Sequence, residues 1–355
     1  MLSKLINIHK IKFSILENIL ADYNKKNKVI NIHIDLHTIL SSLYKLENYN
    51  ETNWFKNSTV IISSCILNIA AHYRLFFHSR YGISTRIFLY YTNTRPRNNT
   101  EYCPEYGYRF FDKYSIKNEK FKPVNMEVSN NLKLVKTIAE YIPDLYYIDC
   151  RNIEPLIAIG YLSIKYPQNN IVITKDELLY QLVNLSKTKI LKSKRDESYI
   201  ISKDNVYEVL IGKSSYVPEH ISPELLSVIY SFSGIKSRDV KGLKGYGYAK
   251  TIKILDLAIK KELIPNTHTH IKNILDEIYT GKDKELLINN FKAIDLHYQS
   301  NELTLAQKEL INGYLTTKYN KKDLLALNNI HYTGDNSIML EELYRGTDKL
   351  DTFKW

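Results

Sequence analysis

No apolar run in this chain approaches the roughly 20 residues that a membrane-spanning helix needs. The opening Met-Leu-Ser-Lys-Leu-Ile-Asn-Ile-His-Lys has no long apolar core ahead of a small-residue cleavage site, so no secretory leader is expected. Cysteine is scarce: Cys65, Cys103 and Cys150 lie far apart without paired metal-ligand spacing. That pattern excludes a disulfide framework and fits reduced thiols in a cytosolic-type compartment. Histidines are scattered, with His33 and His37 flanking a strand end. His268 and His270 alternate with Thr267 and Thr269, which reads as an exposed loop before a helix rather than a metal pair. No internal repeat or low-complexity tract stands out.

The chain has 355 residues, enough for two modest domains or one large α/β domain with a helical extension. Its 44% hydrophobic content is that of an ordinary globular protein. Lys and Arg number 49 against 38 Asp and Glu, a formal charge of +11, which points either to a polyanionic partner or to a solvated basic surface. Hydrophobic periodicity predicts a helix over residues 3–25, a strand over Val29–Leu36 ending near Asp35, and helices from Thr38 and over Ser58–His78. A second strand covers Thr85–Tyr91. Helices follow at Leu132–Tyr141 and Ile153–Lys165, around a strand at Leu145–Asp149. Asn170–Thr174 is a strand, Glu177–Asn184 a short helix, and Lys189–Leu191 and Tyr199–Ile201 are short strands. From Pro223 onward the pattern is helical, including Ile271–Tyr279, Lys284–Asp295 and Leu305–Tyr314. Strand-helix alternation followed by helices implies an α/β fold with a mostly parallel central sheet flanked by helices. Ligands then belong at the carboxyl ends of the strands, where Asp35, Asn93, Asp149 and Asp176 fall.

The most informative stretch is Gly234–Thr251. Its second half, Leu243-Lys-Gly-Tyr-Gly, reads as a helix-hairpin-helix turn. Glycines let the backbone approach a phosphate, and the next helix aims its free amides at it. Lys241, Gly242, Lys244, Gly245, Gly247, Lys250 and Thr251 are the candidate DNA-binding residues there, with Lys253 nearby. A solvated helix-helix turn is the structural alternative. Tyr246 and Tyr248 are candidates for stacking on a sugar or a partner protein. The excursion 92–123 interleaves Arg95 and Arg97 with aromatic residues, chemistry that suits single-stranded nucleic acid or a protein interface.

Two segments, Ile171-Val-Ile-Thr-Lys-Asp-Glu-Leu-Leu-Tyr-Gln-Leu-Val and Tyr230-Ser-Phe-Ser-Gly-Ile-Lys-Ser-Arg-Asp-Val-Lys-Gly-Leu-Lys-Gly-Tyr-Gly, resemble the 5′-nuclease superfamily of flap endonucleases and phage 5′-exonucleases, which has a PIN-like fold. The resemblance covers residues 29–255. It implies a nuclease-like domain over 1–220 with an arch-like insertion at 92–123, a hairpin region over 221–264 and a helical extension over 265–355. It also implies a crowd of carboxylates around two divalent ions, because hard cations take oxygen ligands. Position by position, Asp35, Glu154 and Asp176 match those acids, whereas Thr92 or Asn93, Leu178, Ile235 and Arg238 stand where acids are expected. The remnant implies no metal or one weakly bound Mg²⁺ or Mn²⁺, with a monovalent cation at the hairpin as an option. Asp35 and Asp176 read equally well as helix caps, and Glu154 reads better as a first-turn acid than as a ligand. A shift of one residue would bring Asp239 into the last position.

The expectation is a catalytically inactive or severely impaired relative that still binds DNA, a duplex with a single-stranded or flap end. It would serve as a subunit or scaffold in a larger assembly. Alternatives are an active metal-dependent 5′-nuclease and a protein-interaction module without nucleic-acid binding. The 29 tyrosines, with abundant Asn, Lys and Ile, resemble the bias of an AT-rich genome and hint at a viral source.

Overall fold

Strand β1 (Val29–Asp35) runs up the middle of a six-stranded sheet. Its alternation sends Ile30, Ile32 and Ile34 into one apolar layer, while Asn31 and His33 face the other. Parallel strands β2 (Ser84–Tyr91) and β4 (Asn170–Ile173) flank it. Beyond them lie β3 (Leu145–Asp149) and β5 (Thr188–Lys194), and β6 (Glu197–Ile201) closes the sheet as an antiparallel edge. The order is β3-β2-β1-β4-β5-β6, so successive connections leave in opposite directions from the middle of the sheet. In sheets of this kind such a switch, here at the carboxyl ends of β1 and β4, is where ligands bind. The computed structural model describes residues 12–22, 29–40, 61–92, 122–151, 153–167, 169–185, 187–194, 197–212, 218, 221–267 and 271–316.

Helices α1 (Phe13–Asp22), α2 (Ile61–Arg74) and α3 (Lys122–Tyr141) cover one face, burying Leu16, Ile66, Ile69, Val135 and Ile138 against the β1 isoleucines. The other face carries α4 (Pro155–Lys165), the 3-10 helix Glu177–Asn184, and α5 (Val206–Ile211) through α11. The intervening helices are α6 (Leu226–Ser233), α7 (Tyr248–Lys260), α8 (Ile271–Ile278), α9 (Lys284–Ile294) and α10 (Leu296–Glu302). Thr304 and Gln307 form a reciprocal capping box that starts α11 (Leu305–Gly313). One apolar core runs from Phe88 and Val172 on the sheet to Phe291 and Ile311, so the sheet and the helices after Pro223 share their packing.

The expected strands all form. Helix α3 starts ten residues before Leu132, within the segment assigned to the excursion; Pro123 is tolerated in a first turn, where its missing N–H has no partner to lose. Arg95 and Arg97, the rest of 93–121, and His268 and His270 lie outside the described residues. Among the described residues no helix is long and apolar enough to cross a membrane. His33 is a packed structural residue: it stacks on Phe88 at 4.9 Å, with Nδ1 2.7 Å from the Tyr90 hydroxyl and Nε2 3.2 Å from Asn170 Oδ1. Burial lowers its pKa to about 4, keeping the ring neutral at pH 7.

Candidate functional site

Asp35 ends β1, 4% exposed. Its Oδ1 accepts the His37 amide at 3.0 Å, and its Oδ2 accepts the Thr38 hydroxyl at 2.9 Å and the Thr174 hydroxyl at 3.4 Å. The carboxylate therefore caps the helical turn that begins at Leu36. Thr174 also accepts the Asp176 amide at 3.0 Å, so the ends of β1 and β4 are tied together. Burial pushes the Asp35 pKa up, but hydrogen bonds and the charge of His37, with the Thr38 bond, outweigh it and leave the carboxyl below its ordinary value. Such a group stabilises the fold above its unfolded pKa of about 3.9, and that contribution is lost as pH falls through the lower folded value. Asp35→Ala is expected to cost about 1–3 kcal/mol at pH 7, by stranding buried donors. Urea titrations should show the gap from wild type closing in acid; a gap that stays constant down to pH 2 would contradict this assignment.

The second group gathers around Arg238. A two-stranded ribbon, β7 (Gly234–Ile235) with β8 (Val240–Lys241), is joined by the 3-10 turn Lys236–Arg238. Asp239 takes the left-handed position at φ 54°, which Asp tolerates better than most residues, and reverses the chain. The turn sends Arg238 inward, its side chain 1% exposed. Nη1 lies 2.6 Å from Oε1 of Glu154, itself 2% exposed at the start of α4. Nη2 donates to Asp176 Oδ2 at 2.5 Å, while Asp176 Oδ1 accepts the Leu178 amide at 3.0 Å and caps the 3-10 helix. Arg238 thus occupies the space between two of the three predicted ligands.

The predicted metal ligands are not brought together as one set. Glu154 and Asp176 converge on a guanidinium, and Asp35 is engaged by its own donors. Among the described residues no three Asp, Glu, His or Cys side chains form a group able to hold a metal ion. The arrangement does not fit a divalent cation beside Arg238. At an effective dielectric of about 20, unit like charges about 4 Å apart repel by about 4 kcal/mol, and a dication doubles that. The positions where acids were expected serve the core: Ile235 is fully buried, Leu178 is buried, and the Thr92 hydroxyl donates to the Arg151 carbonyl.

Glu177 was not singled out in the sequence, where it only marks the start of a short helix. The Tyr230 hydroxyl donates to its backbone carbonyl at 2.8 Å. Burial, then the neighbouring Asp176, raise its pKa. Lys192 was also unforeseen; it donates to the Tyr180 hydroxyl at 2.5 Å.

Beyond β8, Leu243 N–H donates to the Phe232 carbonyl at 2.7 Å and Tyr246 N–H to the Leu243 carbonyl at 3.0 Å, folding 242–247 into a tight loop that leads into α7. Gly245 needs its φ of +82°, and a Cβ there or at Gly247 would meet only open space. Lys241, Lys244 and Lys250 are exposed around this loop, and Lys250 Nζ sits 4.2 Å from the Tyr246 ring centre. One expectation is corrected. Thr251 is 1% exposed and its hydroxyl bonds to the Gly247 carbonyl at 3.1 Å, so it shapes the loop instead of facing a ligand. Tyr246 packs edge-on to Tyr279 and against Phe232, and Tyr248 packs edge-on to Tyr230, because the loop lies on an aromatic bed rather than free in solvent.

No protein-family model and no curated protein matches the chain. Solved structures do. The bacteriophage T5 flap endonuclease, crystallised as a pseudo-enzyme–product complex with DNA and metal ions, is 18% identical over 84% of this chain and 99% of that one, with a TM-score of 0.52. The T5 5′-exonuclease with divalent zinc bound is 19% identical over 83% and 98%, with a TM-score of 0.51. The chain has the fold of the 5′-nuclease superfamily, as the order of its strands and helices implied.

Proposed function

We propose that this chain is a nucleic-acid-binding subunit or scaffold of nuclease fold, catalytically inactive or severely impaired, working in a viral DNA-processing, transcription or packaging assembly. The observation that carries the reading is Arg238. Two-metal hydrolysis needs carboxylates free to hold cations. Here one permanent cation pairs with both Glu154 and Asp176. Arginine does not lose its proton under any ordinary condition, so raising the pH does not relieve the pairing.

Binding is assigned to the loop Gly242–Gly247. Exposed Lys241, Lys244 and Lys250, with the amides at the start of α7, offer charge and donors to backbone phosphates. The likeness to a T5 protein crystallised with DNA supports this reading. The viral setting rests on composition and on that likeness.

The test is cleavage of a 5′-labelled flap and a nicked duplex with Mg²⁺ and with Mn²⁺, beside binding of the same substrates in EDTA. The expected result is binding without cleavage. Three lysine–phosphate contacts should give a slope of log affinity against log salt of about −3. Metal-dependent cleavage abolished by Asp176→Ala would establish an active nuclease instead. A flat salt response would establish a protein-interaction module.

A further inference from the structure

We propose that a cleft near the amino ends of β4 and β5, away from the Arg238 site, binds an arginine side chain set beside a leucine on a partner protein. The partner class rests on the scaffold role proposed above, whereas the shape and charge of the cleft do not. The cleft has a volume of about 320 Å³ and lies where the ends of α4 and of the 3-10 helix Glu177–Asn184 meet Pro223, ahead of α6, and the start of α10.

Two helices set its place. Both begin beside Arg238, capped by Glu154 and Asp176, and both finish at the cleft, which Ile164 and Leu185 line. At about 1.5 Å per residue, Ile164 stands about 14 Å from the start of α4. Leu185 accepts the N–H of Thr188, the first residue of β5, at 3.1 Å. The walls are tied in advance. The Gln181 carboxamide donates to the Ile294 carbonyl at 2.9 Å and accepts the Leu296 N–H at 3.2 Å, which locks the break between α9 and α10 onto the 3-10 helix. Leu182, Leu185, Pro223 and Leu296 make the lining apolar. Among the described residues the lining holds two acids, Glu224 and Asp295, and no lysine or arginine, on a chain of formal charge +11. Asp295 caps α10 by accepting the Tyr298 N–H at 2.6 Å, and Glu224 lies in the first turn after Ser222. A carboxylate carries a full charge against roughly half a charge at a helix start, so the cleft stays negative. An apolar lining with acids suits an aliphatic stem that ends in a cation. Arginine adds a planar fork that matches carboxylates, and it is enriched among the residues that dominate interfaces. The volume is at the low end of the roughly 300–1,000 Å³ typical of ligand sites, which suits a pair of side chains.

Calorimetric titration of the full chain with acetyl-Leu-Arg-Leu-amide, in the absence of nucleic acid, tests this. Binding is expected with a dissociation constant below about 1 mM. Acetyl-Leu-Glu-Leu-amide should bind at least about tenfold more weakly, although the positive charge of the chain favours it everywhere else on the surface. Glu224→Gln keeps the shape of the side chain and removes its charge, and should weaken the arginine peptide about tenfold. Leu185→Gln, which makes part of the lining polar, should weaken it by a similar factor of about ten. No heat of binding from the arginine peptide, equal binding of the glutamate peptide, or an arginine-peptide affinity that neither substitution changes would overturn the proposal. Metal-dependent cleavage by the wild-type chain would overturn the scaffold reading instead, and these titrations would still decide the cleft.

Discussion

Arg238→Met is expected to lower the free energy of unfolding by about 3–5 kcal/mol, because breaking a buried ion pair from one side leaves the other charge uncompensated. The cost falls mainly on Glu154, whose side chain is 2% exposed and whose close cationic partner is this guanidinium. Asp176 suffers less, being 17% exposed and still bonded to the Leu178 amide. Methionine keeps much of the aliphatic stem, so the loss reads as electrostatics more than as a cavity. Two further measurements make the assignment specific. Adding Glu154→Gln to the methionine variant should restore a large part of the loss, since the stranded charge is then gone. The methionine variant alone should regain stability relative to wild type in acid, where Glu154 takes up a proton instead of standing charged in the core. Urea unfolding of the single and double variants at pH 7 and pH 4 checks this. A methionine variant within about 0.5 kcal/mol of wild type, the range of ordinary surface changes, would show that Arg238 does not bridge these carboxylates.

The sheet was legible because buried parallel strands read as short apolar runs between turn residues, as Val29–Asp35 and Asn170–Ile173 do. Arg238 was legible as a misfit, a cation in a position where the resemblance called for an acid. Its consequence was not. Sequence spacing cannot bring Glu154 and Asp176 onto one guanidinium, so both read as residual metal ligands. The same limit hid the tie between Glu177 and the Tyr230 hydroxyl, which joins residues 53 apart in sequence. Thr251 failed differently. A hydroxyl near a glycine loop fits a phosphate contact and an internal bond to the Gly247 carbonyl equally well, and only the packing of α7 on α6 selects the second. Asp35, whose two readings were balanced, accepts bonds from its own turn.

Gly242→Ala is the other large effect, and its neighbours make it interpretable. A Cβ at Gly242 would stand 2.2 Å from the Ser233 carbonyl carbon, 2.4 Å from the Gly234 nitrogen and 2.4 Å from the Phe232 oxygen. All three are backbone atoms, so no rotamer change relieves the overlap. The end of α6 and strand β8 must part, straining the Leu243-to-Phe232 bond and both Asn290 bonds. Overpacking of this kind is expected to cost about 3 kcal/mol, the upper part of the usual range. At Gly245 the added methyl meets open space, and only the left-handed φ of +82° is penalised, by about 1–2 kcal/mol. Gly247 has open space and carries no left-handed φ, so alanine there should cost under about 1 kcal/mol, the weakening of an N-cap. Thermal unfolding should rank the three variants in that order. Duplex affinity should rank them otherwise. If phosphate approaches the start of α7, a methyl on Gly247 blocks the approach and weakens binding with almost no change in melting temperature. Equal affinity for Gly247→Ala and wild type would move the nucleic-acid contact away from this loop, whereas a wild-type melting temperature for Gly242→Ala would show that α6 and β8 do not pack this closely.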